Sequence, residues 1–255
     1  MVGVATTQLT FGKELFWRKA SEVLTRVVET QADAIRRAAE IFADCIERDG
    51  VIHAFGTGHS AAFAMELANR AGGLVPFTRM EMIDLVFGAH WPVEKVRDPD
   101  IEIDPEAGKA LLSCYRIEPR DAFIIASNSG VNPVIVDVAS EVRERGHPLV
   151  AVTSLEHTQR VPSRHASGKK LMDLASVVID NCGPEGDALL ELTDGVKACS
   201  ISSLTGALIG QMLTAETIGV LMARGKEPPI LISANVPRGR ERNVALRARY
   251  AGRIR

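Results

Sequence analysis

The sequence has few cysteines, few aromatic residues and almost no excess charge of either sign. Its cysteines, at positions 45, 114, 182 and 199, form no Cys-x-x-Cys pair and stand near no pair of histidines, so the spacing of a metal site is missing. Lys and Arg number 30 against 32 Asp and Glu, giving a formal net charge of -2. This balance argues against nucleic acid as a partner. We interpret the cysteines as reduced thiols of a cytoplasmic protein.

Long apolar runs are also missing. No window of 18 uninterrupted apolar residues occurs, and the first residues lack a basic stretch followed by an apolar one. The sequence therefore predicts neither a membrane-spanning segment nor a secretory signal. Only the end of the chain is locally basic, and we interpret this tail as a solvated helix or an arm that docks on another subunit, with arginines at 238, 240, 242, 247, 249, 253 and 255.

The length allows a substantial core. With 255 residues, 46% of them hydrophobic, folding should bury roughly three quarters of the unfolded chain's surface without a disulfide or metal. We predict a single domain over residues 1–255, with N-terminal helices at about 13–48, an α/β core at about 50–225 and a basic tail at 226–255. Apolar residues recur at helical spacing over 13–48, which predicts one long helix or two consecutive ones.

Short apolar runs alternate with helical patterns through the core. The runs at 51–55, 121–126, 149–153 and 177–180 predict strands, and the segments 61–71, 133–145 and 203–223 predict helices, the last buried on nearly every side. This alternation predicts a parallel sheet covered on both faces. Residues 76–120 are rich in proline and are the hardest part of the sequence to interpret. We predict a helix or a strand near 78–88, followed by an irregular segment that extends toward a partner or the site.

Three predicted strands end in small polar residues. Gly-Thr-Gly-His-Ser at 56–60 follows the first, Ser-Asn-Ser-Gly at 127–130 the second and Thr-Ser at 153–154 the third. The first turn is neither a Walker sequence nor a Gly-x-Gly-x-x-Gly fingerprint, because position 61 is Ala. Helix capping could explain each turn singly. Because ligands gather at the carboxyl ends of parallel strands, the three together predict one shared polar ligand.

The turns at 56–60 and 127–130, about seventy residues apart and followed by Thr153 and Ser154, resemble those of the SIS (sugar isomerase) domain family of phosphosugar isomerases and phosphosugar-binding proteins. The resemblance covers about residues 35–225. The most similar branch consists of stand-alone bacterial SIS proteins without assigned activity, which share segments similar to residues 30–31, 70–74, 163–169, 180–181 and 186–188.

This resemblance implies a three-layer αβα sandwich with a five-stranded parallel sheet, preceded by the N-terminal helices. It implies a homodimer or homotetramer whose sites lie near subunit interfaces, and a phosphate held by hydroxyls and backbone amides. Carried over by motif, the phosphosugar would contact Ser60, Ser127, Ser129 and Thr153, assisted by Asn128 and Ser154. The glycines Gly58 and Gly130 would admit the ligand to the backbone.

An aldose–ketose isomerase moves a proton between adjacent carbons, so it needs a base over the sugar and an acid at the carbonyl oxygen. The candidates are Glu66, Glu81 and His59, with Glu191 and His90 as further alternatives; a solvated helix face would equally explain either of the first two glutamates. His165 lies in a polar run that could reach a substrate or remain an ordinary solvated loop.

We therefore predict a phosphosugar-binding protein, an isomerase that uses general acid–base catalysis and no cofactor. A lyase or etherase on an amino-sugar phosphate shares the first step, proton abstraction beside a carbonyl, and is not separated from isomerisation by the sequence. The rival from another class is a non-catalytic sugar-phosphate sensor that regulates a partner protein.

Overall fold

The computed structural model describes residues 11–254. The N-terminal residues that bear on the secretory-signal prediction and Arg255 of the basic tail lie outside this range. Two consecutive helices open the described chain, α1 (Lys13–Thr30) and α2 (Ala32–Glu47). The buried residues of α2, among them Ile35, Phe42 and Ile46, recur at helical spacing. This amphipathic pattern explains why the sequence predicted helices in this segment.

Five parallel strands form the central sheet: β1 (Ile52–Phe55), β2 (Phe77–Met80), β3 (Ala122–Ala126), β4 (Leu149–Thr153) and β5 (Val177–Asp180). Their order is β2-β1-β3-β4-β5. Both faces of β1, β3 and β4 are buried, as expected for strands with helices on both sides. The predicted α/β fold with a five-stranded parallel sheet is confirmed.

The remaining elements are α3 (Ala61–Leu67), α4 (Asp84–Gly88), α5 (Val93–Arg97), α6 (Ala107–Ser113), α7 (Pro133–Glu144), α8 (Leu155–Arg160), α9 (Leu171–Leu174), β6 (Ala188–Glu191), β7 (Lys197–Ser200), α10 (Ser202–Ala223) and α11 (Gly239–Ala248). Residues 77–88 contain both a strand and a helix, β2 and α4. The antiparallel pair β6–β7 had no counterpart among the predicted elements, whereas helix α11 lies in the basic tail, for which a solvated helix was one of the two interpretations.

Alternate residues of each strand supply two separate hydrophobic cores. Ile124 of β3 joins the core formed with α1, α2, α3 and α10. Its neighbours Phe123 and Ile125 point to the other face, where α6, α7 and α9 close the second core. This burial on both faces is the physical reason that the strand sequences are continuous apolar runs and do not alternate between apolar and polar residues.

Helix α10 departs from the expectation that it would be buried on nearly every side. Gly206 and Gly210 pack against α3 side chains, but Leu204 and Met222 are exposed, and no atom of any other part of the described residues lies within 4 Å of a Cβ placed on Gly219. The helix covers α2 and α3 with one side only. It is long and apolar enough to cross a membrane, with 44% of its most apolar window buried, a test that the core helix of a globular fold also passes.

The basic tail differs from a wholly solvated helix or an arm extended toward another subunit. Arg238 and Arg240 are exposed, but Tyr250 is fully buried with Val51 and Val75. The guanidinium of Arg253 is buried as well and forms ion pairs with Asp121 and Glu118. The tail therefore packs on its own chain, at the end of the sheet where β3 begins.

Candidate functional site

The site lies where the strand order of the sheet reverses. Strands β1 and β3 are neighbours, but the chain proceeds from β1 to β2 in one direction and from β3 to β4 in the other. The turns after β1 and β3 therefore diverge and leave a crevice at the carboxyl ends of the strands. These are the turns at 56–60 and 127–130.

The first turn makes a tight reversal into α3. A Cβ on Gly56 would lie 2.5 Å from the carbonyl oxygen of Ser60, so only glycine fits. Gly58 has a φ of 53°, in the region that favours glycine. The backbone N–H groups of Thr57 and Gly58 donate to no group among residues 11–254.

The second turn connects β3 to α7. The hydroxyl oxygen of Ser127 accepts a hydrogen bond from the Gly130 N–H at 3.1 Å. Gly130 has a φ of 65°, and a Cβ there would lie 3.3 Å from both Thr153 Oγ1 and Leu171 Cβ. Within the described chain, the backbone N–H groups of Asn128, Ser129 and Val131 have no acceptor. Such free N–H groups, close to a helix N-terminus, are the usual components of an anion site.

A cavity of about 140 Å³ opens between the two turns. Five of the predicted site residues line it: His59, Ser60, Glu66, Ser127 and Asn128. The structure therefore brings together the first two polar turns and two of the acid–base candidates, Glu66 and His59. Gly58, Ser129 and Gly130 belong to the same turns but do not line this cavity.

Sequence reasoning assigned no role to three polar residues that line the cavity, Asn181, Ser202 and Ser203. Asn181 is 4% exposed and donates from Nδ2 to Asn128 Oδ1 at 2.8 Å. Because this bond occupies the carbonyl oxygen of the Asn128 amide, the NH₂ group of Asn128 is available to a ligand. Asn181 directly follows β5, so the rule that selected the other polar strand ends could have found it.

The predicted third turn is buried. Thr153 and Ser154 are both 0% exposed. The hydroxyl of Thr153 bonds to the carbonyl oxygen of Asn128 and to the hydroxyl of Thr158, and that of Ser154 donates to the Gly183 carbonyl and caps α8. In this structure the two hydroxyls hold the neighbouring loops in place.

The candidate glutamates lie in different parts of the fold. Glu66 lines the cavity from α3, accepts a hydrogen bond from Gln211 at 2.6 Å and forms an ion pair with Arg70. Glu81 follows β2 at the edge of the sheet, pairs with Arg79 at 2.8 Å and does not reach the cavity. Glu191 is exposed on β6.

The histidines are likewise separated. His59 is exposed at the mouth of the cavity. His165 lies against α7, where its Nε2 contacts Asp137 Oδ1 at 2.9 Å and its Nδ1 contacts Ser167 Oγ at 2.7 Å. It lines a different cavity, together with Lys109 and Lys169. The exposed His90 does not line the site either.

No cluster of three or more His, Cys, Asp or Glu side chains within residues 11–254 is placed to hold a metal ion. The polar groups of the cavity are instead hydroxyls, amides and one carboxylate, together with the imidazole at its mouth. These groups can donate hydrogen bonds to an anion and exchange protons with a polar ligand.

The pattern of the SIS domain family matches residues 15–154. A UPF0309 protein of Listeria monocytogenes is 38% identical over 241 residues, covering 94% of this chain and 97% of its own length. Another, from Halalkalibacterium halodurans, is 36% identical over 217 residues, which are 85% of this chain and 88% of its length.

Among solved structures, a phosphoheptose isomerase from Francisella tularensis superposes with a TM-score of 0.52 at 15% identity, over 80% of this chain and 95% of that one. The phosphoheptose isomerase GmhA from Neisseria gonorrhoeae gives 0.50 at 18% identity, over 78% and 94%. At this identity the superpositions show a shared fold. The sequence matches go further: the chain belongs to the SIS domain family and is related to its UPF0309 members over nearly its whole length.

Proposed function

We propose that the protein binds a phosphorylated sugar at the turns after β1 and β3 and isomerises it by general acid–base catalysis. The observation that carries this proposal is the free hydrogen-bonding capacity of the two turns. Five backbone N–H groups, those of residues 57, 58, 128, 129 and 131, have no acceptor in the described chain, and the hydroxyls of Ser60 and Ser127 line the cavity beside them.

A phosphate group fits these donors. A monoester dianion presents three acceptor oxygens, and charge-assisted hydrogen bonds to such oxygens are roughly twice as strong as neutral ones. Helix α7, of 12 residues, starts at Pro133, three residues after Gly130, and adds positive potential there. No Lys or Arg among residues 11–254 lines the cavity, so neutral donors would hold the anion.

We assign the phosphate contacts to Ser60, Ser127 and Ser129, with Gly58 and Gly130 allowing the ligand to approach the backbone. The amide of Asn128 then faces the sugar, because Asn181 holds its carbonyl oxygen. Thr153 and Ser154 act through the loops that their hydroxyls support.

Glu66 is the candidate base best placed for the chemistry, since it is the one candidate carboxylate that lines the cavity. It would remove the proton from the carbon beside the carbonyl group and return it to the neighbouring carbon. His59 at the cavity mouth would contact the sugar. This sequence of proton transfers requires no cofactor.

We also propose that residues 1–255 act as one domain of a cytoplasmic homodimer or homotetramer. The exposed apolar side chains of α10, Leu204 and Met222, lie on the helix whose first turn lines the cavity. A second copy on this face would bury them and place each site near an interface. Sedimentation velocity of the purified chain measures the subunit number.

A panel of hexose phosphates and amino-sugar phosphates tests the proposed function. Thermal shift identifies ligands, and proton NMR in heavy water then follows each ligand. An isomerase raises the Tm and introduces solvent deuterium into the sugar. Stabilisation with an unchanged sugar would indicate a sensor, and release of a substituent from the sugar would indicate a lyase or etherase.

The variant Ser60→Ala locates the site. We expect it to weaken phosphosugar binding about tenfold or more, by loss of a hydrogen bond to a charged group, without lowering the Tm of the free protein. The matched control is Ser200→Ala, a change at an exposed serine of β7. Equal phosphosugar affinity in both variants would place the ligand elsewhere.

A further inference from the structure

A carboxylate from residues 76–120 lies beside Gly58, the neighbour of the cavity-lining His59, although it does not itself line the cavity. Residues Pro99–Ile103 form a short 3-10 helix that packs on α7. Ile101 is 8% exposed in the second hydrophobic core and anchors this segment, while the neighbouring Glu102 extends toward the two polar turns. Its position depends on packing between segments far apart in sequence, which no local pattern encodes.

Glu102 lies beside Gly58 of the first turn and bonds to Asn132, two residues after the second turn. Its Oε2 accepts a hydrogen bond from Asn132 Nδ2, directly before α7. Its Oε1 lies 3.6 Å from the position that a Cβ would take on Gly58. Asn132 is itself oriented, because its Oδ1 accepts a hydrogen bond from Arg164 Nη1 at 3.2 Å. The carboxylate of Glu102 is therefore held between Gly58, in the turn that follows β1, and Asn132, directly before α7.

The charge of Glu102 has no cationic partner within residues 11–254, whereas Glu66 pairs with Arg70 and Glu81 pairs with Arg79. One of its oxygens also lacks any hydrogen-bond donor in that range, so it can accept a proton. Proton-transfer groups work best when held in one position. The side chain of the exposed His59 forms no hydrogen bond within the described chain, so Glu102 is the better positioned group.

We propose that Glu102 is a second catalytic residue, which carries a proton between two oxygens of the sugar. This inference rests on the proposed function. Glu66 removes the proton from C2, and the electron pair of the C1 carbonyl moves onto O1. Glu102 accepts the proton of the O2 hydroxyl and delivers it to O1. A carbonyl then forms at C2 as C1 takes the proton back from Glu66, so no proton is gained or lost and no oxidant is needed.

The test compares Glu102→Gln with Glu106→Gln, a control at an exposed glutamate of the same segment. The probe is the phosphosugar that gives the largest thermal shift and the fastest deuterium exchange with the unmodified protein. We expect Glu102→Gln to bind this sugar within about threefold of the unmodified protein and to slow its interconversion by about 100-fold or more. The control variant should retain both properties.

A pH–rate profile distinguishes a catalytic role of Glu102 from a structural role in supporting its loop. Removal of a proton-transferring carboxylate should abolish one limb of the pH–rate profile, and Glu102→Asp should restore part of the rate. Unchanged turnover in Glu102→Gln would overturn the inference, and so would loss of binding in parallel with turnover. If no phosphosugar binds the unmodified protein, the proposed function fails, and this inference fails with it.

Discussion

Arg253 forms a buried ion pair with Asp121, the residue immediately before β3. The same carboxylate accepts hydrogen bonds from the backbone N–H groups of Val51 and Glu118, at 2.9 and 2.8 Å, and contacts His53 Nε2 at 3.2 Å. Burial alone would raise the pKa of Asp121, but these hydrogen bonds outweigh it and hold the pKa below its usual value. The network joins the end of the chain to the start of two central strands.

Removal of Arg253 should strongly destabilise the fold. Arg253→Ala leaves the buried Asp121 without its cation, a change that typically costs about 3–5 kcal/mol. Urea unfolding measures the free energy of unfolding, and Arg240→Ala, at an exposed arginine, should change it by less than about 0.5 kcal/mol. Equal midpoints for the two variants would show that the tail contributes little to stability.

Acid should destabilise the fold through His53. Burial lowers the pKa of this imidazole below 6.5, despite the opposing contact with Asp121, and its buried Nδ1 has no hydrogen-bond partner in the part of the chain that the structure describes. The unfolded chain therefore binds a proton at a higher pH than the folded chain, so stability falls as the pH decreases below about 6.5. The loss continues down to the lower, folded-state pKa.

Between pH 7 and 5.5 this one group should lower the free energy of unfolding by up to about 1 kcal/mol. Urea titrations at both pH values measure it. His53→Gln keeps an N–H donor for Asp121 but does not titrate, so its stability should change less over the same interval. An equal change in both proteins would assign the effect to other groups.

Asn181 should control which group Asn128 presents to a ligand. Asn181→Asp replaces the NH₂ donor by an acceptor and adds a negative charge to the cavity wall. The Asn128 amide should then turn its NH₂ toward residue 181 and present its oxygen to the ligand. We expect phosphosugar affinity to fall about tenfold or more by calorimetry. Asn235→Asp, at an exposed site, should leave affinity unchanged; an unaffected Asn181→Asp would contradict this role.

Substitution by alanine should have opposite effects on stability at two glycines, Gly130 and Gly219. Gly130 has a positive φ and tight contacts with Thr153 and Leu171, so Gly130→Ala should cost about 1–3 kcal/mol through backbone strain. Gly219 lies in α10, and no other part of residues 11–254 comes within 4 Å of a Cβ there, so Gly219→Ala should gain about 0.5–1 kcal/mol from helix propensity. Chemical denaturation measures both, and a stabilising Gly130→Ala would show that this turn is not constrained.

The sequence by itself determined the α/β fold, four of the five strands of the central sheet and the two polar turns. Apolar runs and turn chemistry are short-range signals, so the strands at 149–153 and 177–180 could be found from neighbouring residues alone. Strand β2 was predicted only as a helix or strand near 78–88, and the hairpin β6–β7 was not predicted. Their strands, such as Phe-Thr-Arg-Met and Lys-Ala-Cys-Ser, mix polar with apolar residues and lack the continuous apolar run that marked the other strands.

Only the tertiary structure decided which side chains meet. It brought Asn181 to Asn128 and Glu102 to Gly58, and it docked Arg253 on Asp121, across separations of 53, 44 and 132 residues. It also placed Glu81 and His165 away from the cavity. The spacing of apolar residues along the chain determines whether a segment forms a helix or a strand. The contacts between distant segments follow instead from how the helices and loops pack around the sheet.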